Sequence, residues 1–95
     1  MALPGEDLIE AGLRDLLAGR ETIAALLVAI GAPRLRRTGL ALPGDLPQHP
    51  EDRLYDLLAK VDEDSAHSRY NALIRRLVSY ERTAEFVNRG RGCAD

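Results

Sequence analysis

From Ser65 to Asn88 the chain reads SAHSRYNALIRRLVSYERTAEFVN, and Ala66, Tyr70, Leu73, Leu77, Tyr80, Ala84 and Val87 recur at intervals of four and three residues. That spacing lines one edge of an α-helix and no strand reproduces it. A helix cannot hide such an edge unaided, so the segment requires other helices, from its own chain or from a partner. The expected fold class is therefore all-α.

At 95 residues there is room for one domain and one core. With one phenylalanine, three tyrosines and no tryptophan, that core must be aliphatic. A domain this small buries a modest share of its surface, which makes self-association a natural source of extra stability. The longest apolar run, Ile23 to Ile30, falls well short of the roughly 20 residues that span a bilayer, so no membrane partner is expected. The opening MALPGED lacks the basic-then-apolar order of a secretory signal. Cys93 is the single cysteine and has no internal partner, so a cytoplasmic protein is expected.

A first long helix is expected from Glu6, with Glu6 and Asp7 in the turn where the helix dipole favours acids. Its stripe runs Ile9, Leu13, Leu16, Ile23, Leu27, Ile30, with Arg20 in a slot the pattern reserves for an apolar side chain. Gly19 allows a break or bend at Ala18–Gly19. Gly31 and Pro33 end the segment, and PRLRR forms a short helical turn closed by Gly39. Residues 40–50 (LALPGDLPQHP) read as an irregular proline-containing connector that Leu40, Leu42 and Leu46 can pin to the bundle. A shorter helix starts at Pro50 and carries Leu54, Leu57, Leu58 and Val61. Asp62–Glu63–Asp64 separates it from the last helix, with Asp64 as the expected cap, and Arg89 with Gly90 marks the expected stop. The sum is one small helical bundle: two long amphipathic helices, one shorter helix, the connector, and a flexible tail over residues 89–95.

Charge is unevenly laid out although the net charge is only −2. Residues 45–64 hold seven acids against two bases, whereas residues 69–91 hold six arginines against Glu81 and Glu85. Arg34, Arg36 and Arg37 have no acid near them in sequence and are candidates to contact phosphate or an acidic partner. On the last helix Arg75, Arg76 and Arg82 lie mostly away from the apolar edge, and Glu85 is placed to pair with Arg89 one turn on.

No constellation for chemistry stands out. His49 and His67 sit beside acids without the spacing that sets two ligands and a base on one helix face; Asp64 and His67 form a lone i,i+3 pair. Cys93 has no base near it in sequence, and no phosphate loop or paired CxxC occurs. The expectation is no catalytic residue, no metal and no cofactor, with a small enzyme or metal-binding helical protein as the least favoured alternative. The favoured reading is a non-enzymatic interaction or self-assembly module, an adaptor or regulatory subunit that pairs with itself or with another protein. Its candidate contact residues are Tyr70, Leu73, Leu77 and Tyr80 on the apolar edge, with Arg75, Arg76 and Arg82 beside them, tyrosine and arginine being enriched at interface centres. The principal alternative is nucleic-acid binding through the arginine-rich helical face, without any helix-turn-helix or zinc-finger pattern to direct it.

Overall fold

A computed structural model of the chain describes residues 5–94, with side chains as far as Val87. Five helices make up the fold among these residues: α1 (Glu6–Leu17), α2 (Ile23–Ile30), α3 (Ala32–Arg37), α4 (Pro50–Val61) and α5 (Ala66–Ala94). The all-α bundle expected from the sequence is what the chain forms.

The first long helix of the sequence reading is two helices, and the reason is local. Gly19 adopts φ +75, a left-handed conformation in which only glycine escapes a steric penalty. Around it the Gly19 N–H bonds the Leu16 carbonyl (3.1 Å) and the Arg20 N–H reaches back to Asp15 (2.8 Å), the paired closure that ends many helices. Thr22 opens the next helix: its hydroxyl oxygen accepts from the Ala25 N–H at 3.1 Å. The same hydroxyl donates to Asp15 at 2.6 Å, which ties the start of α2 to the end of α1. Arg20 is polar because it lies in this turn, exposed, 3.9 Å from Asp15.

Folding back sets α1 hard against α2. Gly12 is buried, and a β-carbon there would collide with the Ala24 carbonyl and lie 2.5 Å from Val28 Cγ2. The α2 sequence IAALLVAI is apolar on every side, as befits a central helix, and residues 25–29 are all buried. α2 packs on α1, α4, α5 and α3. Around it Ile9, Leu26, Leu27, Val28, Leu35, Leu54, Leu58, Ala66 and Leu77 form one aliphatic cluster.

Between α3 and α4 the chain has no regular structure, as expected of residues 40–49. Leu40 and Leu42 pack on the core, Leu46 is half-buried, and Arg36 donates to the Pro43 carbonyl at 2.9 Å. α4 begins at Pro50, and α4 and α5 form a hairpin in which the Tyr55 and Tyr70 rings meet at 5.9 Å. In the hinge the organising carboxylate belongs to Asp62 rather than to Asp64, the expected cap: Asp62 accepts from the Asp64 N–H at 3.2 Å, and α5 starts after Ser65. α5 keeps helical backbone to Ala94, past the stop read at Arg89 and Gly90. Glycine lowers helix propensity by about 1 kcal/mol but, unlike proline, does not forbid the conformation. The side chains of the expected tail lie outside the described residues. At 29 residues α5 is about 43 Å long, close to the 48 Å long axis of a molecule 26 Å and 21 Å across.

Candidate functional site

The two sides of α5 have different fates. Its apolar edge is consumed by the chain itself: Leu77 is 3% exposed, and Tyr70, Leu73 and Tyr80 are half-buried against the core. These four residues, expected as partner contacts, pack on the chain's own core, Leu77 most completely. Burial raises the pKa of the Tyr70 and Tyr80 hydroxyls, and nearby carboxylates push the same way: Glu51 and Asp52 at Tyr70, Glu6 and Glu10 at Tyr80.

The three arginines of α3, expected as contacts to phosphate or an acidic partner, do not converge. Arg34 is engaged internally: Nε donates to Glu85 Oε1 at 2.7 Å and Nη2 to Glu85 Oε2 at 3.3 Å, a forked contact. Its Nη1 lies 3.6 Å from Glu81 Oε1. The hydrogen bond and charge of Glu85 raise the Arg34 pKa further. Glu81 is 4% exposed, packed beside Gly31 at the α2–α3 junction, where a β-carbon would come within 2.8 Å of its carboxylate. Burial pushes the Glu81 carboxyl above the usual range, Arg34 pulls it down, and Glu85 pushes it up again; the net direction is upward. This cluster fastens α3 to the middle of α5. Arg36 holds the connector, and Arg37 is exposed.

The outer side of α5 is a different surface. Ser68, Ala72, Arg75, Ser79, Arg82 and Phe86 recur at intervals of four and three, and all are exposed. They form a second stripe opposite the first; Phe86, nine residues beyond Leu77, lies half a turn around the helix from it. Phe86 is 76% exposed. Arg75 and Arg82 form no ion pair with any described residue, and Arg76 has only Asp7 at 3.8 Å, both side chains well exposed. Glu81 and Glu85 would balance these arginines in sequence, but both turn inward to Arg34. Phe86 escaped the sequence reading, although its own four-three register with Arg82 and Ser79 was there to be found.

Acids outnumber bases along α4 and in the hinge before α5, where Lys60 and Arg69 are also exposed. Asp62, Glu63 and Asp64 in the hinge are exposed, as are Glu51, Asp52 and Asp56 on α4, and none of the six pairs with a described cation. Val61, beside the hinge acids, is 70% exposed.

Exposed His67 sits 3.2 Å from the Asn71 amide, and His49 is exposed ahead of α4. Among the described residues no three His, Cys, Asp or Glu side chains gather where a metal ion could be held. Two shallow grooves near the α1–α2 turn are lined by residues of mixed charge, Glu21, Arg53, Asp56 and Lys60 among them, with Arg53 paired to Glu21 at 2.6 Å. Among the described residues no helix is long and apolar enough to cross a membrane. Comparison of the chain with protein-family models, curated proteins and solved structures finds no match.

Proposed function

We propose that the protein is a non-enzymatic helical interaction or self-assembly module whose contact surface is the outer face of α5. The observation that carries this reading is Phe86: the chain's single phenylalanine stands in water on the same stripe as Arg75 and Arg82. A large apolar side chain beside uncompensated guanidinium groups has the composition of an interface, where aromatic and arginine side chains dominate the binding energy. The bundle's own core does not need this face, which leaves it free to serve an adaptor or regulatory subunit. A cytoplasmic setting, where a lone cysteine stays reduced, belongs to the same proposal.

Placing a photo-crosslinking phenylalanine analogue at position 86 tests this in cells. The reading expects protein adducts from position 86 and none from the same analogue at Glu10, an exposed position on α1. No adducts at 86, or equal adducts at both positions, would refute it.

Nucleic-acid binding is the second reading, favoured by the exposure of Arg36, Arg37, Arg69, Arg75, Arg76 and Arg82. It predicts binding to a short duplex or single strand that weakens steeply with salt. The six unpaired carboxylates of α4 and the hinge make it the weaker reading, because they repel the same phosphates.

A further inference from the structure

The three exposed hinge acids before α5 and exposed Arg82 near Phe86, none of them in an ion pair with a described residue, lie far apart along one helix. From Ala66 to Phe86 is 20 residues of α5, about 30 Å. Charges that far apart are screened from each other, since the Debye length at physiological salt is about 8 Å. The hinge acids and Arg82 therefore cannot satisfy one another within the chain. A second copy can satisfy both at once.

We infer that the outer face of α5 docks a second copy of this chain running antiparallel, so that Arg82 and Phe86 of each copy meet Val61, Glu63 and Asp64 of the other. This rests on the interaction reading above and names its occupant. Charge complementarity selects that occupant: exposed Val61 precedes three hinge acids, which outnumber the exposed Lys60 and Arg69 near them, and exposed Phe86 lies one helical turn from Arg82. Antiparallel pairing uses each surface once per copy and closes as a two-fold dimer with no open end. The register follows from the sequence numbers. Setting Phe86 against Glu63–Asp64 puts the two-fold axis close to Arg75, where the two copies' guanidinium groups face each other. Arg75 thus opposes the association that Arg82 supports.

The contact is small. A helix face about 30 Å long and about 10 Å wide covers a few hundred Å² per copy, below the roughly 800 Å² per partner of a stable complex. The dimer is accordingly weak, fast to exchange and sensitive to salt, and it forms at high local concentration.

Sedimentation equilibrium of the full chain, from about 10 μM to about 1 mM and at about 20 mM and about 500 mM salt, tests the inference. The mass should rise toward that of a dimer with concentration at low salt, and high salt should weaken association at least about tenfold. Arg82→Glu and Asp64→Lys should each abolish self-association, and an equimolar mixture of the two variants should restore it, because the mixed pair has attraction at both ends. Arg75→Gln should tighten it several-fold. Both charge reversals fall at exposed positions, and far-UV circular dichroism confirms that each variant keeps its helices. A wild-type chain that stays monomeric at about 1 mM in low salt overturns the inference. So does a mixture that stays monomeric, or any weakening of association by Arg75→Gln. A monomer that still forms adducts from position 86 with a different protein would overturn the second copy as occupant and leave the interaction reading standing. Loss of both results would remove the two together.

Discussion

Replacing Gly12 with alanine sets helix propensity against helix packing, and the two predict opposite signs. Gly12 is inside α1, where alanine should gain about 1 kcal/mol over glycine. The packing says otherwise. The added carbon would fall on the Ala24 carbonyl oxygen, 2.5 Å from Val28 Cγ2 and 2.7 Å from the Ala24 carbonyl carbon. Non-bonded carbons rest at about 3.5–4.0 Å, so α1 must retreat from α2 by about 1 Å. The main obstacle is backbone, which cannot swing aside as a side-chain tip can. Overpacking costs about 1–3 kcal/mol; the upper end applies here, and subtracting the propensity gain leaves a loss of about 2 kcal/mol. For a domain this size that lowers Tm by about 8–16 °C. Urea unfolding followed by far-UV circular dichroism, with thermal melts alongside, measures it. Gly44→Ala is the control: nothing lies within 4 Å of a β-carbon there, and its effect should stay within about 0.5 kcal/mol. A G12A variant as stable as the wild type, or more so, would refute the close α1–α2 contact.

Thr22→Ala removes both the cap of α2 and the bond to Asp15, and should cost about 2 kcal/mol in the same assay, with Thr22→Ser retaining most of the stability. The two sides of α5 should separate cleanly: Leu77→Ala should cost about 3 kcal/mol as a core deletion, whereas Phe86→Ala should change stability by less than about 0.5 kcal/mol. Because burial raises the Glu81 carboxyl pKa, the folded chain holds that proton more tightly than the unfolded chain. Its contribution to stability is thus full below the ordinary glutamate value of about 4.3 and is lost as pH rises through the raised value. The E81Q variant lacks this loss, so unfolding measured from about pH 4 to about pH 7 should show it gaining on the wild type as pH rises; a constant or shrinking gap would contradict the upward direction.

What the sequence made legible was local and periodic. The α5 stripe announces itself over more than twenty residues, and Pro50 with Glu51 and Asp52 starts α4 where expected. The break between α1 and α2 was half-hidden because Leu16 and Ile23 are seven residues apart, so the helical spacing survives a turn that reverses the chain. Thr22 as a cap, read together with Gly19, would have exposed it. Contacts between distant residues left no local trace. Arg34 and Glu85 are 51 residues apart, and nothing in either neighbourhood says that both α5 glutamates face inward. That pairing decides which arginines remain free. The outer stripe is hard to see in the sequence because the aliphatic edge looks like a surface needing a partner, when the chain's other helices already supply one.

Backbone amide shifts of the full chain followed by NMR on dilution from about 1 mM at low salt test the central claim most directly. The account predicts concentration-dependent shifts at residues 61–64 and 82–86 together, with the α2 amides unmoved. Shifts confined to other helices, or none at either end of α5, would contradict it.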